Sequence, residues 1–200
     1  MCIKLKKEKK MYLIGITGLI GSGKSTIGQI LRELGYVVFD MDIWCRKMYF
    51  DPQFLEIIKK EFPQTFENNT FYKRKLRDFV FSNKEQLKKL ESLTHPYLIK
   101  KFKQTISHFR FNKEFFFIES ALLYQMDLDK YCYNVFITKA PYYVMETRVI
   151  QRDKITSDDF KNIFHKQNNF LYENKNSYKI NTNKPIGILK ADLIKLIQGL

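Results

Sequence analysis

Residues 18–25 read Gly18-Leu19-Ile20-Gly21-Ser22-Gly23-Lys24-Ser25, which fits the pattern G-x-x-x-x-G-K-[ST]. Ahead of the stretch, Met11–Ile16 is a short apolar run that predicts a buried strand. Behind it, Ser25–Leu34 carries apolar residues at helical spacing and stops at Gly35. A glycine-rich turn between a strand and a helix lets backbone N–H groups face inward, and the helix N-terminus adds its positive end. Gly18, Gly21, Ser22 and Gly23 therefore predict a cradle for phosphate oxygens. Lys24 is placed to reach the β- and γ-phosphates of ATP, and Ser25 to ligate Mg²⁺.

Outward from the loop, elements alternate. Tyr36–Phe39 predicts a second strand, followed by Asp40-Met41-Asp42, two carboxylates one residue apart. Asp51-Pro52 predicts an N-cap and the first position of a helix reaching about Glu61. Ser82-Asn83-Lys84-Glu85 has capping-box spacing and predicts another helix, with Pro96–Phe109 continuing the helical stretch. Glu114–Ile118 and Asn134–Thr138 are apolar enough for central strands. Pro141–Arg152 and Ser157–Asn168 predict helices, Tyr178–Asn181 a strand, and Ile186–Ile197 a closing amphipathic helix. This order implies an α/β fold with a parallel sheet covered by helices. The helical block from 51 to 110 exceeds one crossover, so part of it is expected to stand apart.

Two further features bear on chemistry. Glu119 ends the run Phe115-Phe116-Phe117-Ile118, where a strand-end carboxylate can hold Mg²⁺ through water. Arg148 and Arg152 are four apart on one predicted helix, so they share a face able to clamp a transferring phosphoryl group.

The 200 residues are sufficient for one domain with a sizeable core, and 44% hydrophobic against 28% charged residues is ordinary for a globular chain. The 35 Lys and Arg against 21 Asp and Glu leave +14. That balance favours polyanionic partners in general, but Lys spread evenly among Asn, Ile, Phe and Tyr selects none. Cys2, Cys45 and Cys132 lack CxxC spacing and read as free thiols in a reducing compartment. His95, His108 and His165 are scattered, so no metal cluster is expected. Lys4 to Lys10 ahead of Met11–Ile16 imitate a signal peptide, yet cleavage there would remove the phosphate loop. No run reaches the ~18 apolar residues of a membrane span. A cytoplasmic protein with a basic tail over residues 1–10 is the expectation.

Taken in order, these pieces resemble the dephospho-CoA kinase family. The matching residues are Gly15 through Thr26, Leu34-Gly35, Asp40-x-Asp42 with Arg46, and Leu90-Glu91 leading to His95-Pro96. Further on come Leu122-Leu123 after Glu119, Arg148-x-x-x-Arg152-Asp153, Gln167 and Asn183. The resemblance runs from about residue 11 to the C-terminus. It implies one P-loop kinase domain over 11–200: a three-layer α/β/α core with five parallel strands, a helical CoA-side subdomain at about 45–110 and a lid at about 141–170. It implies ATP and dephospho-CoA as substrates with Mg²⁺; no membrane partner is expected, a nucleic-acid partner is disfavoured, and the oligomeric state is left open. It also implies Asp42 as the base for the ribose hydroxyl, with Lys24 and Arg148 acting on the phosphoryl group. Thr26, Arg152 and Asn183 join the ATP set, and Asp40, Arg46, His95 and Leu122 form the acceptor side. Asp40 alternatively supports Mg²⁺, and His95 alternatively serves a helix junction.

Several positions depart from the family pattern. Leu19 stands for a usual glycine, Tyr72-Lys73 for aspartate and arginine, and Ala121 for proline. Gln125 replaces glutamate, Met145 glutamine, Ile163 a lid-helix arginine, and Ser177-Tyr178 the usual Ala-Asp. Two other readings stay open on sequence: a P-loop kinase for another nucleoside or nucleotide, and a nucleotide-dependent nucleic-acid-binding protein.

Overall fold

The computed structural model describes residues 11–108, 114–171, 173 and 176–200. In chain order the elements are β1 (Tyr12–Gly18), α1 (Lys24–Glu33), β2 (Val38–Asp40), α2 (Met41–Lys47), α3 (Pro52–Glu61), β3 (Phe66–Glu67) and β4 (Thr70–Phe71). There follow α4 (Lys73–Phe81), α5 (Lys84–His108), β5 (Phe115–Glu119), β6 (Asn134–Lys139), α6 (Tyr142–Asp153), α7 (Ser157–Asn168), β7 (Ser177–Asn181) and α8 (Ile186–Gln198). The described residues form two compact units. One holds those up to Asp40 and from Glu114 onward, and the other begins at Met41 and extends through His108.

The first unit is built on a five-stranded sheet in the order β2-β5-β1-β6-β7. Every pairing is parallel. Strands covered on both faces need continuous apolar runs, and Ile14, Ile16, Phe117 and Phe136 are each fully buried. The stripes Ile27, Ile30, Leu31 on α1 and Leu189, Leu193, Ile197 on α8 recur at helical spacing and pack with those strand residues in one cluster. Burying each such side chain contributes about 1.5–3 kcal/mol. A smaller cluster joins α6 and α7 through Met145, Val149 and Phe160, and Leu19 and Ile20 of the phosphate loop pack against it. Leu19, in place of the family's usual glycine, thus finds an apolar seat. Met145 in place of glutamine enlarges the same cluster.

Strand register sets the chemistry. Asp40 and Ile16 both pair with Glu119, and Gly18 pairs with Thr138. The carboxyl ends of β2, β5, β1 and β6 are therefore level, which is where ligands bind in open parallel sheets.

The second unit is helical. Asp51 accepts the Gln53 N–H at 3.0 Å, capping α3 as its sequence predicts, and pairs with Lys101 at 2.9 Å. Phe54, Ile58, Phe62, Leu76, Val80, Leu98 and Phe102 are buried. α5 runs 25 residues through Pro96.

Three local readings need correction. Ser82 does not open α5: it closes α4, and its hydroxyl donates to the Phe79 carbonyl at 2.8 Å. Asn83 is the cap, accepting the Glu85 and Gln86 N–H groups at 2.8 and 3.3 Å. The second strand starts at Val38 instead of Tyr36. The block 51–110 also contains a two-stranded antiparallel hairpin, β3 against β4, turned by Asn68 and Asn69 at φ 46° and 64°. Asparagine tolerates that left-handed backbone, which primed hairpin turns require. Phe109 lies outside the described residues. No helix among the described residues is long and apolar enough to cross a membrane.

Candidate functional site

The phosphate loop connects β1 to α1. Gly23 caps α1 with φ 92°, a left-handed conformation, and a Cβ built there would lie 2.8 Å from Thr182 Oγ1. Any other residue meets strain and a collision together. Lys24 arches back over the loop, its Nζ donating to the Gly18 and Leu19 carbonyls at 3.0 and 3.2 Å. The buried Ser22 hydroxyl lies 2.7 Å from Thr138 Oγ1, and Thr138 in turn donates to the Thr17 carbonyl at 3.1 Å. At the crown, the Ile20 N–H donates to Gln167 Oε1 of α7 at 2.7 Å.

Glu119 faces the start of α1. Ser25 donates its hydroxyl to Glu119 Oε1 at 2.9 Å, and Arg32 Nη2 stands 4.0 Å from Oε2. The carboxylate is only 3% exposed, and its Oε2 has no hydrogen-bond partner. A Cβ on Gly28 would lie 2.6 Å from that oxygen, so glycine on α1 is what lets Glu119 lie so near the helix. Burial pushes the Glu119 carboxyl above its ordinary value. The Ser25 hydrogen bond opposes this, the Asp40 carboxylate reinforces it, and Arg32 and Lys24 oppose it.

An orphaned buried carboxylate oxygen beside a serine hydroxyl is a hard oxygen donor set and fits Mg²⁺. Among the described residues no three His, Cys, Asp or Glu gather as a metal cluster. The donors suit an ion that takes its remaining ligands from phosphate and water.

Arg148 and Arg152 part company. Arg148 Nη1 donates to the Gly21 carbonyl at 3.3 Å and to Thr182 Oγ1 at 3.2 Å, and its Nη2 donates to the Thr182 carbonyl at 3.0 Å. Arg152 is exposed and bonded through Nε and Nη2 to Asp153 at 2.7 Å each. Asn183 is exposed, its N–H donating to Asn181 Oδ1 at 2.9 Å. The residue before it, Thr182, is buried against the loop. Sequence reading passes over Thr182 and Thr138, because neither belongs to the loop pattern. Leu122, half-buried after β5, donates its N–H to Ser120 Oγ at 3.1 Å. Thr26 is half-buried on the first turn of α1.

In the second unit, Asp42 and Arg46 are exposed on α2, four residues apart and so on one helical face. Cys45 stands between them. Burial raises its thiol pKa, the Asp42 carboxylate adds to the rise, and Lys73 and Arg46 oppose it. Asp42, Arg46 and Lys73 therefore share one electrostatic neighbourhood, with Lys73 Nζ 4.8 Å from the Tyr49 ring centre. Trp44 packs edge-on against Phe102 at 6.3 Å between ring centres. His95 is half-buried within α5, where burial lowers its pKa and Glu91 opposes the change. His165 is exposed, and the His108 side chain lies outside the described residues.

Known proteins resemble this chain in sequence and fold. The family described as dephospho-CoA kinase matches residues 12–181. A Fusobacterium nucleatum dephospho-CoA kinase is 33% identical over 163 residues, covering 78% of this chain and 81% of its own. One from Borreliella burgdorferi is 30% identical over 196 residues, covering 94% of each. Among solved structures, a Thermus thermophilus protein superposes with a TM-score of 0.78 at 25% identity, over 96% of this chain and 99% of its own. A shikimate kinase from Bacteroides thetaiotaomicron shares the fold alone, with a TM-score of 0.54 at 15% identity over 94% and 99% of the two chains. With the family match running from β1 to the end of β7, the chain belongs to the dephospho-CoA kinase family.

Proposed function

We propose that the chain transfers the γ-phosphoryl group of ATP to the 3′-hydroxyl of the dephospho-CoA ribose, giving coenzyme A and ADP as the last step of coenzyme A synthesis. The observation that carries this reading is the extent of the family match. It continues from the phosphate loop through the unit beginning at Met41, and so takes in Asp42, Arg46 and His95 as well as Lys24 and Ser25. A phosphate loop alone supports nucleotide binding and says nothing about the acceptor.

In this reading the amides of Gly21 to Thr26 receive the phosphates, and Lys24 reaches the β- and γ-phosphate oxygens. Ser25 and Glu119 are the residues that would hold Mg²⁺, which would supply positive charge against the β- and γ-phosphates. Asp42 orients the ribose hydroxyl and accepts its proton late, since a loose transition state asks little more of a base. Asp40 supports the metal side beside Glu119. Arg46 and His95 contact the acceptor with Leu122, and Arg148, Arg152 and Asn183 serve the nucleotide. Free Cys45 and Cys132 thiols support a reducing, cytoplasmic setting.

The test is ADP release from ATP and Mg²⁺ with dephospho-CoA, adenosine and nucleoside monophosphates offered separately. Turnover confined to dephospho-CoA supports the reading. Equal or greater turnover with a nucleoside or nucleotide reassigns the acceptor.

A further inference from the structure

Thr182 follows β7 directly and is 3% exposed. Its N–H donates to the Lys139 carbonyl at 2.8 Å, carrying the β6–β7 ladder one residue further. Its hydroxyl lies 2.7 Å from the Ser22 carbonyl and 3.2 Å from that of Lys139. A hydroxyl has one proton to give and two lone pairs to offer. The shorter contact takes the proton, and a lone pair then receives Arg148 Nη1 at 3.2 Å while the Thr182 carbonyl receives Nη2 at 3.0 Å. Arg148 Nη1 also reaches the Gly21 carbonyl at 3.3 Å. One buried side chain thus meets the loop at Ser22 and Gly23, and holds the guanidinium that meets it at Gly21.

Peptide geometry gives these contacts a consequence for the loop. A trans peptide is planar, so the N–H of a residue points opposite to the carbonyl of the residue before it. Holding the Ser22 carbonyl toward Thr182 turns the Gly23 N–H the other way, away from β7. Gly23 caps α1, and its amide is one of the groups a phosphate-binding loop must present. Without the Thr182 hydroxyl, the Ser22–Gly23 peptide loses the contact that sets its plane. Gly23, lacking a Cβ, resists rotation less than any other residue.

We propose that Thr182 is a positioning residue for phosphoryl transfer: its hydroxyl orients the Ser22–Gly23 peptide toward the phosphates and seats the Arg148 guanidinium against the loop. The proposal rests on the reading of the loop as the ATP site. It adds a residue outside the loop pattern that couples the end of β7, the loop and α6. Asn183, its exposed neighbour, has no such contact among the described hydrogen bonds.

The experiment compares Thr182→Val, which keeps the shape and removes the hydroxyl, with Thr182→Ser, which keeps the hydroxyl, in the full chain. ADP affinity is measured by calorimetry without acceptor, and kcat and KM for ATP by coupled ADP release. Thr182→Val is expected to weaken ADP binding about 10-fold and to lower kcat about 10-fold or more, as loss of a hydrogen bond at a preorganised site does. Thr182→Ser is expected to recover both to within about 3-fold. Arg148→Lys should cost far less kcat in the Thr182→Val background than in the unsubstituted chain, because the seat is already lost. Unchanged ADP affinity in Thr182→Val, failure of Thr182→Ser to recover it, or fully additive losses with Arg148→Lys each overturn the proposal. If Thr182→Val does not fold, Thr182→Ala in the same cycle takes its place, with the same outcomes deciding. Absence of ADP binding by the unsubstituted chain would refute the ATP-site reading itself, a result distinct from any of these.

Discussion

Ser25 donates its hydroxyl to Glu119 Oε1 across 2.9 Å, joining the first turn of α1 to the end of β5. The bond brings together the two oxygen donors proposed for Mg²⁺. Glu119→Gln keeps an acceptor for Ser25 and removes the charge. We expect kcat to fall about 100-fold and the Mg²⁺ concentration for half-maximal rate to rise about 10-fold. The midpoint of thermal unfolding should hold or rise, because a neutral amide is easier to bury than a carboxylate. A Mg²⁺ titration of activity, with a melting curve, checks both; an unshifted Mg²⁺ requirement removes Glu119 from the metal site.

Gly28→Ala tests the same contact from the helix side. The added Cβ would stand 2.6 Å from Glu119 Oε2, so the carboxylate must shift away from α1. Alanine favours a helix over glycine by about 1 kcal/mol, which offsets much of the crowding. The expected outcome is little change in melting temperature with a clear rise in the Mg²⁺ requirement. Normal Mg²⁺ dependence would show that Glu119 tolerates displacement.

Trp44 is the single tryptophan, two residues from Asp42 and edge-on to Phe102. Its emission should respond to dephospho-CoA if the proposed acceptor residues Asp42, Arg46 and His95, which lie in the same unit, contact it. Phe102→Ala should red-shift the emission and destabilise by about 3–5 kcal/mol, as Phe102 is 1% exposed. Fluorescence titration and urea unfolding measure these effects. A spectrum indifferent to saturating dephospho-CoA counts against acceptor contact near α2.

His95 carries a pH signature. Burial lowers its pKa from the ordinary 6.5, so below that value the unfolded chain binds a proton that the folded chain resists. Stability is therefore expected to fall as pH drops below about 6.5, down to the lowered folded value. His95→Gln should flatten that part of the profile. Urea unfolding at pH 5.5 and 7.5 reads the difference, and parallel profiles for the two proteins would contradict it.

Much of the fold was legible because two signals agree. Gly18 to Ser25 stands between an apolar run and a helical stripe, and the runs at 115–118 and 134–138 need cover on both faces. α7 occupies Ser157–Asn168 as its apolar spacing predicts. The helical unit was harder, because caps compete there: Ser82 and Asn83 are adjacent, and only the end of α4 decides that Ser82 serves it. The hairpin had a readable sign, Asn68-Asn69 between aromatic residues, but two-residue strands carry too little alternation to stand out. In the site, Lys24, Ser25 and Glu119 follow from local pattern. Thr182 and Thr138 do not, because their roles depend on which strands lie beside β1, and a side-chain hydroxyl on a strand end has no spacing rule of its own.

The most direct test is the identity of the phosphorylated product. With ATP, Mg²⁺ and dephospho-CoA, one ADP should be released per coenzyme A formed, with the new phosphate on the ribose 3′-hydroxyl by phosphorus NMR. Asp42→Asn should lower kcat by at least about 100-fold while ADP binding stays intact. ADP release that does not depend on dephospho-CoA, or a phosphate placed elsewhere on the acceptor, would contradict the proposed function.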